Sequence, residues 1–172
     1  MMEVHRFEKA WAVISVVLIV GFIGTVTYGT LGAGVEMVDD SGGTVDSTNL
    51  ADTEFAEPGV RQVGENEYDV YVVARQFVFQ PGTSEPIRVP AGSTVTFYVT
   101  SADVVHGFEV VGTNVNTMVI PGQVAEITVE FNEPQTYGLV CHEYCGAAHH
   151  DMGGQIVVVP QDEYEGPGGG SQ

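Results

Sequence analysis

Residues 94–100 read TVTFYVT, and their alternation decides the fold. Val95, Phe97 and Val99 fall on one face of an extended chain, with Thr96, Tyr98 and Thr100 on the other, the period of two that a half-buried strand requires. Residues 125–131 (AEITVEF) repeat the pattern, setting Ala125, Ile127, Val129 and Phe131 against Glu126, Thr128 and Glu130. Residues 67–74 (EYDVYVVA) begin by alternating and then turn apolar, and residues 137–141 and 155–159 complete the set. Breakers separate these runs at short intervals: Pro90-Ala91-Gly92, Pro121-Gly122 and Asn132-Glu133-Pro134. Many short strands with turn signals and no long amphipathic helix between them predict an all-β domain over residues 65–160, a Greek-key β-sandwich or barrel.

Outside that domain the composition changes. Residues 36–64 are rich in Gly, Ser, Thr, Asp and Glu without sustained periodicity, which predicts an acidic flexible linker. Residues 161–172 are similarly polar and predict a disordered tail. Residues 1–35 carry the remaining feature, an uncharged run over 10–31 (AWAVISVVLIVGFIGTVTYGTL). As a helix it spans about 33 Å, against about 30 Å for a bilayer core. Trp11 and Tyr28 sit near its two ends, where amphipathic rings favour the interface. The alternative is a cleaved signal peptide, whose apolar core is shorter, about 7–15 residues. Arg6 and Lys9 precede the run and no cation follows until Arg61, which predicts a single-pass anchor with its N-terminus in the cytoplasm and the β-domain on the outer face.

The chain carries 23 acidic residues against 5 Lys+Arg, a formal net charge of −18. Residues 1–35 are balanced, so the whole excess lies beyond them, where Arg61, Arg75 and Arg88 are the only Lys or Arg. Such a field repels nucleic acid and attracts basic partners; it is also what solubility at high salt demands, so a halophilic source is the simpler account. Disorder is excluded by a 44% hydrophobic content gathered in strand-like runs.

The chemistry lies in residues 141–152, CHEYCGAAHHDM, which follow a predicted strand. Cys141, Cys145, His149 and Met152 bring two thiols, an imidazole and a thioether into one loop. Thiolate and thioether are soft ligands suited to copper, imidazole suits it as well, and zinc rarely takes methionine. One Cys, one His and one Met with a distant His would make a mononuclear blue-copper site. A second Cys four residues from the first changes this, because two adjacent thiolates can each bridge two metal ions. The distant imidazole is His106, just beyond residues 94–100, since His5 precedes the anchor.

Cys141-x3-Cys145-x3-His149-x2-Met152, with His106 in DVVHGFEV, then Thr113-Asn-Val-Asn116 and Ile120-Pro-Gly122, resembles subunit II of haem–copper terminal oxidases. The single helix and residues 74–81 (ARQFVFQP) look most like the B-type oxidases. The resemblance covers nearly the whole chain and implies a cupredoxin domain carrying a binuclear copper (CuA) centre. It implies that Cys141 and Cys145 bridge two coppers, that His106 and His149 each cap one, that Met152 is a weak ligand to one, and that the Glu143 carbonyl serves the other. It also implies a magnesium ion at the Glu143 side chain, on the boundary with subunit I, although B-type relatives often have Gln there. His142 and His150 flank the motif positions and are expected to be exposed or supporting groups. Phe77 and Phe79 are core residues by default.

The function implied is non-catalytic electron transfer within an oxidoreductase complex, from cytochrome c or a small blue-copper protein to haem in subunit I. The alternatives are a membrane-anchored mononuclear carrier, a copper chaperone, and the CuA subunit of a nitric-oxide reductase; nitrous-oxide reductase would need a large further domain.

Overall fold

The computed structural model describes residues 5–32 and 41–167, which form two separate units. The described part of the N-terminal unit is one helix, α1 (Arg6–Leu31), whose most apolar 18-residue stretch has mean hydropathy 2.3. It begins four residues before the apolar run because His5 and Glu8 cap it: His5 Nδ1 accepts the Phe7 amide, and Glu8 accepts the His5 amide at 3.0 Å. At about 1.5 Å per residue its 26 residues extend about 39 Å, long enough to cross a bilayer. None of its side chains is buried.

Among its described residues the second unit has ten strands: β1 (Gly59–Gly64), β2 (Glu67–Arg75), β3 (Val78–Gln80), β4 (Ile87–Pro90), β5 (Ser93–Ser101), β6 (His106–Val110), β7 (Asn116–Val119), β8 (Ala125–Phe131), β9 (Gln135–Val140) and β10 (Gly153–Val159). One sheet runs β1-β2-β5-β8 with β3 added to β2; the other runs β4-β10-β9-β6-β7. The pairs β2–β5 and β4–β10 are parallel, and the remaining pairs are antiparallel. The two inner faces enclose one core, in which Phe108 meets Phe79 edge-on at 5.6 Å and Phe97 at 5.5 Å. Each such ring, removed from water, contributes about 2–3 kcal/mol. Alternation in β5 and β8 is therefore the sandwich pattern that residues 94–100 and 125–131 announce.

The apolar run in β2 has a different cause. Val70 and Val72 face the main core, while Tyr71 and Val73 face a second cluster with Leu50, Phe55 and Val124. Residues 41–64 thus depart from the expected linker. Leu50 and Phe55 sit in two short 3-10 turns, Leu50–Asp52 and Glu54–Ala56, and cover the outer face of β2. Arg61 fastens this cover: its guanidinium donates to the carbonyls of Glu54 (2.7 Å) and Glu57 (3.1 Å) and lies 4.0 Å over the Tyr71 ring. A strand buried on both faces has no polar side to display, hence the continuous apolar reading. Residues 36–40 of the expected linker lie outside the described residues.

The tail departs from expectation as well. Gln161 donates to Asn66, and Tyr164 packs edge-on against Tyr68 at 5.5 Å, where burial pushes its hydroxyl up to about 12. Residues 168–172 lie outside the described residues.

Since Phe55 fills the outer cluster, Phe55→Ala should cost about 3 kcal/mol in chemical denaturation of the full chain in detergent. A solvated linker at this position would leave the denaturation midpoint unchanged.

Candidate metal centre

Strands β9 and β10 are neighbours, with Val140 opposite Gly153. The intervening residues 141–152 form a loop closed at its base, where the Cys141 amide donates to the Met152 carbonyl at 3.2 Å. Cys141 therefore lies just past the end of β9 rather than inside the strand predicted for it, and β10 starts two residues before the predicted 155. Within the loop a 3-10 turn, His149–Asp151, returns the chain, with the His149 amide bonded to the Gly146 carbonyl and the Met152 amide to the His149 carbonyl. That turn brings His149 and Met152 to the same thiol: Cys145 Sγ lies 3.6 Å from His149 Nδ1 and 3.6 Å from Met152 Sδ.

His106 comes from the other direction. It opens β6 instead of trailing the preceding strand, and β6 pairs with β9 through Glu109–Val140 and Val110–Leu139. This pairing sets His106 Nδ1 at 3.9 Å from Cys141 Sγ. The two sulfurs are 3.8 Å apart, and Cys141 Sγ is 3.2 Å from the Glu143 carbonyl oxygen. His106, Cys141 and Cys145 are all buried, with their ligand atoms within 4.8 Å of one another. The structure thus gathers all six residues expected from the sequence, with Glu143 represented by its backbone oxygen.

Three further residues support the cluster. Asp103 accepts from His106 Nε2 at 2.8 Å, which orients the ring and leaves Nδ1 facing the sulfurs. Burial raises the Asp103 carboxyl, but hydrogen bonds from His106 and from the amides of Gln76 and Val104 outweigh it, so the group lies below its ordinary range. Gly107 donates its amide to Cys141 Sγ at 3.4 Å. The His142 ring lies against Gly107, 2.7 Å from where a Cβ would stand, so any side chain at this position would have to displace that ring. His142 Nε2 is buried with no hydrogen-bond partner among the described residues. Gln76 reaches in from the end of β2 and donates its side-chain amide to the Cys145 carbonyl. Asp103 has a sequence signal, a carboxylate three residues before a candidate ligand histidine; Gln76 and Gly107 have none. His150 is exposed beside Asp151, and Phe79 is core, as expected.

The donor set fits copper. Burial, and next the neighbouring Cys141, push the Cys145 thiol up to about 11, so this thiol stays neutral at ordinary pH unless a cation joins the pair. Two thiols, two imidazole nitrogens, a thioether and a carbonyl oxygen converge on the same small volume, and soft sulfur with imidazole is a copper ligand set.

Comparison with known proteins agrees. A family model for the periplasmic domain of cytochrome c oxidase subunit II matches residues 59–159. Cytochrome c oxidase subunit 2 of Thermus thermophilus is 40% identical over 162 residues, spanning 88% of this chain and 91% of the relative. A probable cytochrome c oxidase subunit 2 of Streptomyces coelicolor is 37% identical over 93 residues, 49% of this chain and 29% of its own length. Among solved structures, one chain of a haem–copper terminal oxidase dimer superposes with a TM-score of 0.70 at 33% identity, covering 90% of this chain and all of that one. The periplasmic domain of subunit II from Bradyrhizobium japonicum, at 22% identity and a TM-score of 0.51, covers 55% of this chain and 86% of its own, and shows the fold. The β-sandwich is cupredoxin-like, the buried Cys–His cluster is a CuA-type copper site, and the chain belongs to the cytochrome c oxidase subunit II family.

Proposed function

We propose that His106, Cys141, Cys145, His149, Met152 and the Glu143 carbonyl hold two copper ions, and that the chain accepts electrons from cytochrome c or a small blue-copper protein for delivery to haem in subunit I. The observation carrying this reading is the pairing of each buried thiol with its own imidazole nitrogen: Cys141 with His106 at 3.9 Å, and Cys145 with His149 at 3.6 Å. A mononuclear site needs one thiolate and two imidazoles around one ion, and leaves the second buried thiol without a role.

A thiolate-bridged copper pair, when bound, supplies one-electron transfer with little change in bond length. The protein's part is to hold the ligands still in both oxidation states. The β9–β10 hairpin fixes Cys141 and Met152, and the β6–β9 pairing fixes His106. Asp103 holds the His106 ring in one tautomer. The Glu143 carboxylate is the group that a magnesium ion at the subunit I boundary would take.

Arg6 and Lys9 in the first turns of α1, with no further Lys or Arg until Arg61, support an N-terminus in the cytoplasm and a copper domain on the outer face. The negative surface of that domain suits high salt, where screening shortens electrostatic reach and donor docking rests on contact.

The full chain in detergent, loaded with copper, should bind two ions per chain and give an electron spin resonance signal of one spin shared over both. Cys145→Ser should abolish that signal. One copper, or zinc in its place, refutes the binuclear reading. Because Cys145 must lose a proton to bind, copper uptake should release protons and tighten as pH rises between about 6 and 8; isothermal titration in buffers of different ionisation enthalpy measures this. Asp103→Ala should weaken copper retention about 10- to 100-fold in competition with a chelator, with the two-copper stoichiometry preserved at saturation.

A further inference from the structure

We propose that Gln76 is a positioning residue for the copper centre: it ties the loop that carries Cys145 to the loop that orients His106. The proposal rests on the binuclear reading above. It is carried by two hydrogen bonds from one residue. The Gln76 backbone amide donates to Asp103 Oδ2 at 2.8 Å, and its side-chain amide donates to the Cys145 carbonyl. Asp103 uses its other oxygen, Oδ1, for His106 Nε2. A continuous path therefore runs from His106 through Asp103 and Gln76 to Cys145, joining the imidazole nearest one sulfur to the backbone of the other.

The surroundings are shaped for this contact. Gly146 follows Cys145 with φ +136, and a Cβ there would stand 2.7 Å from the Gln76 side-chain nitrogen and 3.1 Å from the Phe77 ring. Only glycine has both the backbone freedom and the room to let the amide in. The Cys145 carbonyl belongs to the residue whose sulfur also meets His149 and Met152, so fixing that carbonyl restrains the position of the thiol all three share. Without the tether, the stretch between Cys145 and the His149 turn would depend on its own short bonds alone. Neither the hydrophobic pattern nor the ligand spacing requires a glutamine at this place.

The side-chain bond can be removed while the backbone bond stays. Gln76→Met keeps the length of the side chain and loses the donor; Gln76→Lys keeps a donor at similar reach. In the copper-loaded full chain, Gln76→Met should speed copper loss to a chelator about five- to tenfold, the factor expected for one hydrogen bond. It should also alter the copper hyperfine splitting in electron spin resonance, and Gln76→Lys should recover most of both. The melting temperature of the metal-free chain should fall by no more than a few degrees in each variant, about what one lost hydrogen bond costs. A Gln76→Met chain with native release rate and native spectrum overturns the proposal. So does a melting temperature that falls equally with and without copper while the spectrum is unchanged. A native chain that takes up no copper pair overturns the underlying reading instead.

Discussion

The hydrogen bond from the Cys141 amide to the Met152 carbonyl closes the loop on which everything else depends. It converts residues 141–152 from an open connection into a ring anchored on two paired strands, and within that ring each ligand has one place. The sandwich supplies the second coordinate, because β9 lies between β10 and β6. The same strand that ends at the first cysteine is thus hydrogen-bonded to the strand that begins at His106. A copper centre that relays electrons needs ligands that do not move between oxidation states, and here the immobility comes from backbone pairing rather than from the side chains themselves.

Much of this was legible in the sequence, and what was missed follows a physical rule. Strands with several alternations, such as β5 and β8, could be read directly. β3 and β7 are too short to display a period, and the residues of β6 read as a ligand-bearing loop because His106 drew the chemical interpretation. The donors were readable because four of them share one loop. Of their supports only Asp103 carries a local signal: Gln76 and Cys145 are 69 residues apart, and nothing local marks a contact made only by the folded topology. Leu50 and Phe55 were lost for a related reason, since two apolar residues in a polar stretch have no periodicity, yet they complete the burial of β2.

The acidic composition is compatible with this architecture because few charges enter the core. The buried polar residues are Ser93, Thr100, Ser101 and Thr117, which carry hydroxyls, and His106, whose Nε2 is hydrogen-bonded to Asp103. The excess of carboxylates is carried outside the packed layers, so a strongly charged exterior coexists with an ordinary apolar interior.

The parallel pairing of β4 with β10 bears on how the molecule is made. β10 is the last of the described strands in chain order, and it must reach back across the domain to lie beside β4 as well as β9. Until it does, the ring carrying the cysteines has no second wall and Met152 has no position. Metal insertion at this loop therefore follows the pairing of β10 and the closure of the β-domain. An ion that arrived earlier would meet loose thiols in an unfinished sheet.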